Sequence, residues 1–326
     1  MIALHTTPFV GGAWPGEGLL APGVLINQFS RFAVPFFFVI SGYFWGSRVA
    51  TAATVASVSR PMAWRIAALF IAWSLIYLLP YNIGSIPQFG VLGPFKLTYF
   101  KARYLAHHPL DLLFEGTSVH LWFFVALLCS LGIVAPLVAA ARVKVLVAGS
   151  VVLYLVGVLG RAYVDTPLGL PIPFDTRNGP FFGTIFFASG YLLTRQNPRS
   201  GWLRKGLAFV IFGYAAQLLE IHLLNAYFGT NLLQDFVLGT YFVGLGAAMV
   251  ALSDPAFLRS PRVATIGRMT LGIYAIHVVF VDVLYPVKQA TSSAFWEIGY
   301  VFAVLALSVI SVSLMARSNI LRRIVM

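Results

Sequence analysis

The sequence predicts an all-α fold, a polytopic transmembrane helical bundle of about ten helices. Three observations predict it. Hydrophobic residues make up 59% of the 326 residues and charged residues only 10%, against about 25% charge in an ordinary soluble domain. Apolar runs of membrane-spanning length recur along the whole chain. The basic residues between those runs alternate in density, as they do when successive loops face opposite sides of a bilayer.

Crossing about 30 Å of hydrocarbon takes roughly 20 residues. Runs of that order lie near 27–46, 63–81, 119–140, 143–162, 179–194, 205–225, 236–253, 269–287 and 295–316. These are nine complete spans. Met1 to about Val10 reads as the end of a tenth, a truncated first helix. The whole chain, 1–326, reads as a single integral membrane domain. The runs 27–46 and 179–194 are short or interrupted by proline.

The loops orient the spans. Fifteen of the 22 basic residues fall on one side: Arg48, Arg60 and Arg65; Arg142 and Lys144; Arg195, Arg199, Arg204 and Lys205; Arg259, Arg262 and Arg268; Arg317, Arg322 and Arg323. Six fall on the other: Lys96, Lys101, Arg103, Arg161, Arg177 and Lys288, with Arg31 near the start of the first full span. Basic loops favour the cytoplasm. The C-terminus is therefore expected inside, with 82–118 and 163–178 outside. The net charge of +12 follows from this asymmetry, so no nucleic-acid partner is inferred from it. The lipid bilayer is the partner the composition demands.

Within this frame the first element to carry chemistry is the short opening run, where His5 stands in Ile2-Ala3-Leu4-His5-Thr6-Thr7-Pro8. An ionisable group in hydrocarbon costs several kcal/mol by some scales and marks a functional position by default. In the next run, Arg31 to Tyr43, Pro35 removes a backbone donor and kinks the helix. Ser41-Gly42 leaves no bulk there, so a ligand or another helix can approach. Arg60 and Arg65 flank Trp64 at the start of the following span. They read as topology anchors, or as a hold for a phosphorylated cytoplasmic cosubstrate.

The long segment 82–118 reads as a loop carrying His107, His108, Asp111 and Glu115. That set reads as a solvated turn before Pro109 rather than a metal site, and no metal is expected. His120 opens the next span beside Trp122 and Phe123, either as an interfacial residue or as part of a site. Cys129 reads as inert packing, and a lone cysteine excludes an internal disulfide. Late in the 205–225 span, Gln217 and Glu220 share a face, as a polar patch or a snorkelling helix end. In the 269–287 span Tyr274 and His277 share a face. From that span's start His277 would lie ~10 Å deep at 1.5 Å per residue. Gly11-Gly12 lacks the strand-and-helix setting of a phosphate loop. No internal or inverted repeat is visible.

Taken in order, these phrases resemble the acyltransferase-3 family of integral membrane O-acyltransferases. The resemblance runs over nearly the whole chain: His5 at the end of the first helix, Phe37-Phe38-Val39-Ile40-Ser41-Gly42-Tyr43, Arg60 and Arg65, His120-Leu121-Trp122-Phe123, Arg177-Asn178-Gly179-Pro180-Phe181-Phe182 with Ala188-Ser189-Gly190-Tyr191, and Gly272-Ile273-Tyr274-Ala275-Ile276-His277. The His5-Thr6-Thr7 version is similar to the subgroup that O-acetylates enterobacterial common antigen. One departure is that the family's first helix carries an Arg about ten residues, roughly three helical turns, before its histidine. Here only four residues precede His5. A late start or a truncated chain accounts for that, and a catalytically dead membrane scaffold is the alternative reading that the missing segment opens.

The resemblance implies a multi-pass protein of a bacterial inner membrane, moving an acetyl group from acetyl-CoA to a sugar hydroxyl of a lipid-linked or surface glycan. It implies His5 as catalytic base or transient acyl carrier, with His277 and Tyr274 holding the acyl carbonyl or orienting His5. Arg60 and Arg65 would hold the CoA phosphates. His120, Trp122, Arg177 and Ser41 would meet the acceptor. The competing reading is a proton-coupled transporter of a small acid or glycolipid, since intramembrane His, Glu and Arg suit that too.

Overall fold

The structure is a computed structural model and describes residues 1–10, 18–196, 201–256, 259–291 and 293–325, the side chains of Arg262 and Val263 excepted. Gly11, Gly12 and Arg199 of the sequence reading lie outside the described residues. Among the described residues all regular structure is helical. In chain order the helices are α1 (Ile2–Thr6), α2 (Pro22–Ser30), α3 (Ala33–Val49), α4 (Val55–Ile76), α5 (Ile86–Phe89), α6 (Gly93–His107), α7 (Pro109–Glu115) and α8 (Trp122–Ala139). Then come α9 (Val143–Leu159), α10 (Pro180–Thr194), α11 (Trp202–Phe228), α12 (Leu238–Leu252), α13 (Pro261–Ala290), α14 (Ala294–Met315) and α15 (Arg322–Val325).

Each of the nine expected spans is helical. Among the described residues six segments are long and apolar enough to cross a bilayer: Pro22–Val49, Val55–Ile76, Val119–Ala139, Trp202–Phe228, Ala264–Ala290 and Ala294–Met315. The other three, α9, α10 and α12, have 17, 15 and 15 residues. At 1.5 Å per residue α10 covers only ~22 Å. Protein surrounds it: eleven of its residues are buried, and it packs on α3, α8, α9 and α12.

Three expectations change. The run 27–46 is two helices, broken at Arg31–Phe32. Pro35 then falls in the first turn of α3, where a missing N–H goes unnoticed because first-turn donors have no intrahelical partner. The segment 82–118 is not an open loop but holds a 3₁₀ turn at Ile83–Ser85 followed by α5, α6 and α7. And α13 starts at Pro261, eight residues before the apolar run that revealed it. His277 is therefore about 24 Å along a 30-residue helix at 1.5 Å per residue, not near the start of a span.

The chain folds as two compact units whose segments alternate along the sequence. The first comprises Met1–Asn27, Leu69–Leu121 and Arg259–Met326. In it α13 packs on α14, α15 and the end of α1, and α6 packs on the Ile83–Ser85 turn. Its interior is aromatic and polar: Trp73, Tyr77, His120, Tyr274, His277 and Tyr300 are all buried.

The second unit comprises Gln28–Ala68 and Trp122–Leu258. Its centre is the α3–α10 pair, with α11 and α12 paired beside it. A Cβ on Gly42 would strike the backbone of Phe187, and one on Gly190 would strike the backbone of Val39. The two Ser-Gly phrases, Ser41-Gly42 and Ser189-Gly190, are thus the two halves of one close helix contact, the small-residue packing of membrane helices. Phe38, Tyr154, Phe182, Phe186, Phe187 and Phe236 fill the space around it.

Candidate active site

The first unit gathers three histidines from three separate stretches of chain. His5 comes from α1, His120 from a 3₁₀ turn at Val119–Leu121, and His277 from α13. The ring centroids of His5 and His277 are 4.9 Å apart, those of His120 and His277 5.3 Å, and those of His5 and His120 6.2 Å. His277 is fully buried and His120 is 2% exposed. His5 is half-buried.

Hydrogen bonds distinguish the rings. In His277 the Nδ1–H donates to the Tyr274 carbonyl at 2.6 Å. A neutral imidazole carries one N–H, so its other nitrogen is an acceptor. That atom, His277 Nε2, is buried and has no hydrogen-bond partner among the described residues. In His120 both nitrogens are engaged. Nε2–H donates to the Ala275 carbonyl at 3.2 Å and Nδ1 accepts from Ser118 Oγ at 3.0 Å. So His120 is held, and His277 presents a free lone pair beside His5.

The scaffold around the rings is equally specified. Tyr274, 5% exposed, donates its hydroxyl to the His120 carbonyl. That proton braces α13 against the His120 turn. Tyr77 donates to the Ala275 carbonyl at 2.8 Å, so one carbonyl of α13 serves both Tyr77 and His120. Behind them Tyr81 donates to Asp282 at 2.5 Å, and Lys101 Nζ lies 5.4 Å over the Tyr81 ring. Burial lowers the Lys101 ammonium pKa, and Asp282 offsets part of that fall.

His5 is placed from outside its own helix. Helix α1 has five residues, too few to be stable alone. The Lys288 ammonium takes its terminal carbonyls, Thr6 at 2.7 Å and Thr7 at 3.1 Å. Glu297 accepts from the Phe9 N–H at 3.0 Å and lies 3.3 Å from Lys288. We expect Lys288→Met with Glu297→Gln, which removes both buried charges together, to lower acyl transfer about tenfold through kcat. Misplacement of a reacting group by 1 Å costs up to ~100-fold. Thermal melting in detergent should change by only a few degrees. Unchanged kcat would mean that α1 is held by other contacts.

Three site residues went unrecognised in the sequence: Tyr77, Lys101 and Asp282. Asp282 lies in an apolar helix five residues after His277, and an intramembrane carboxylate is itself a signal. Lys101 was legible only as a loop charge.

The remaining expected residues lie in the second unit. Trp122 is buried there with the Arg177 guanidinium 5.0 Å over its ring. Ser41 is half-buried on α3. Arg60 and Arg65 are exposed on α4, within the helix rather than before it. Among the described residues no group of three or more His, Cys, Asp or Glu side chains is arranged to hold a metal ion.

A family model described as an acyltransferase domain matches residues 1–317. The chain belongs to the acyltransferase-3 family. It carries that family's acyltransferase domain and is a multi-pass helical membrane protein. The chain is also similar to an amino-acid racemase of Enterococcus faecalis, 29% identical over 215 residues, 61% of this chain and 28% of that protein. It is similar to a serine/alanine racemase of Enterococcus gallinarum, 31% identical over 225 residues, 65% of this chain and 30% of that protein. The chain thus spans less than a third of the length of these curated relatives. No solved structure matches it.

Proposed function

We propose that this acyltransferase moves an acetyl group from acetyl-CoA to a hydroxyl of a lipid-linked or surface glycan, as one membrane domain of a bacterial inner membrane with its C-terminus in the cytoplasm. The observation that carries the reading is the His5–His277 pair with the free, buried Nε2 of His277. Transfer to an alcohol needs a group to take the hydroxyl proton as the oxygen attacks the thioester carbonyl. The tetrahedral intermediate then collapses, the C–S bond breaks, and the same proton passes to the leaving thiolate. In this reading His5 meets the hydroxyl and His277 receives or shares its proton. His120 and Tyr274 hold the pair in register.

The exposed Arg60 and Arg65 suit the phosphates of CoA, and the uneven spread of basic residues favours a cytoplasmic side for them. Trp122 and Arg177 remain candidate acceptor contacts, as does Ser41, although its neighbour Gly42 is explained by helix packing. The His5-Thr6-Thr7 phrase favours the enterobacterial-common-antigen-like subgroup. Racemisation is not carried over, because the matched residues are under a third of each racemase.

Proton transfer at a histidine pair serves many reactions, so the test reads the transferred group itself. The protein and its His5→Ala variant would be expressed in cells lacking the endogenous enzyme. Mass spectrometry of extracted surface glycans should show a gain of ~42 Da, the increment of acetyl on a hydroxyl oxygen nucleophile. The gain is expected with the unaltered protein and should fall at least 100-fold with His5→Ala. An unmodified glycan in both cases would move the reading to a transporter, and an equal gain in both would remove His5 from the chemistry.

A further inference from the structure

Two of the histidines, His5 and His120, open on a cavity in the first unit of about 400 Å³, within the range of small-ligand sites. His5 and His120 line it, together with Lys101 and Asp282. Helices α6 and α7 add Tyr104, Asp111 and Glu115 to its wall. We propose that this cavity is the acceptor site, that it takes an uncharged or amine-bearing sugar, and that it disfavours an acidic one. The inference rests on the acyl-transfer reading and names the substrate class for it.

The position of the site comes from its lining His5, since a hydroxyl bound here lies against the group that would take its proton. The chemistry of the wall gives the class. Asp111 and Glu115 are four apart on α7 and so share a face. Tyr104 donates its hydroxyl to Asp111 at 2.8 Å, and its ring stacks on His108 with centroids 4.1 Å apart and planes 22° apart. The ring is 53% exposed. An aromatic face offers an apolar platform for the C–H face of a sugar. Ionised carboxylates are acceptors only, so they receive the hydroxyl protons of a polyol.

Charge decides against an acidic sugar. Three carboxylates, Asp111, Glu115 and Asp282, line the cavity with one ammonium, Lys101. A cleft dominated by one sign concentrates ligands of the other sign and repels its own. The same balance disfavours the polyanionic donor here. The thioester must therefore reach the histidines by a different approach from the acceptor, which lets one cavity hold the sugar while the other substrate comes and goes.

The test compares a methyl hexoside with the matching methyl uronoside, which differ by a carboxylate at C6. Acyl transfer from acetyl-CoA would be followed as thiol release, for the purified full chain and for Asp111→Asn with Glu115→Gln. The expected result is that the unaltered protein prefers the uncharged sugar at least tenfold in kcat/KM and that the double variant narrows this to within about threefold. A preference for the uronoside, or an unchanged ratio in the double variant, would overturn the proposal. If neither sugar is acetylated, equilibrium binding of the same two sugars to both proteins decides the matter. The same tenfold ratio and its collapse would support the cavity while the transfer reading fails. Equal binding of both sugars to the unaltered protein would sink the proposal.

Discussion

Replacing His277 with Gln should lower the single-turnover rate of acyl transfer by roughly 1,000-fold, within the 100- to 10,000-fold range of a positioned acid–base group. The expectation follows from the asymmetry between the two buried histidines. His120 has both nitrogens in hydrogen bonds to Ser118 and Ala275, so it is engaged whether or not substrate is present. His277 uses only Nδ1, on the Tyr274 carbonyl. Its Nε2 has no hydrogen-bond partner among the described residues, in a fully buried ring. An unsatisfied buried acceptor costs about 1–3 kcal/mol, a cost that catalysis explains and packing does not. Gln fills similar space and keeps a donor, but it cannot take a proton. The loss should therefore appear in kcat, with thermal melting nearly unchanged. The contrasting variant, His120→Gln, should lose less because it removes positioning alone. A His277→Gln rate within tenfold of the unaltered protein would leave His5 as the sole base.

How far this site could be read in advance depended on what each residue does. His5, His120 and His277 stood out because ionisable groups in apolar runs are rare, and all three proved to be neighbours. The spans were legible for the same reason, since hydropathy follows directly from the solvent. The helix starts were not. The first residues of α13 and α4 are mixed in polarity, and their helicity comes from context that hydropathy does not measure. Segment 82–118 reads as loop because it lies between apolar runs and carries charges. In fact Pro94 and Pro109 each sit in the first turn of a helix, where proline is favoured. Ser41-Gly42 left two readings open, a ligand or another helix, and the structure gives the second, with the Phe187 backbone beside Gly42. A small residue states only that something comes close.

The second unit carries an ion cluster that should be the most sensitive point of its stability. Asp235 meets three guanidiniums: Arg31 at 2.5 Å, Arg161 at 2.5 Å and Arg177 at 3.5 Å. Asp175 lies 3.4 Å from Arg161 and 3.2 Å from Arg177. Burial by itself would raise the Asp235 pKa, but the charges of Arg31, Arg177 and Arg161 more than reverse it. The carboxyl is held ionised well below its ordinary range. Asp235→Asn leaves three cations around one neutral amide. Removing one partner of a buried pair costs about 3–5 kcal/mol. Here the lower end is expected, because Arg161 is 39% exposed and exposed pairs contribute little. A fall in melting temperature of several degrees in detergent should result. Adding Arg31→Gln should restore part of it, since the uncompensated charge is what destabilises. The pH dependence has a fixed sign. A carboxyl with a depressed folded pKa stabilises fully above the unfolded value of about 4, and that stability drains away as pH falls toward the folded value. The gap in melting temperature between the unaltered protein and Asp235→Asn should therefore be constant from pH 8 to about pH 5 and narrow in stronger acid. A gap that stayed constant in acid would mean that the cluster holds the loops by shape rather than by charge.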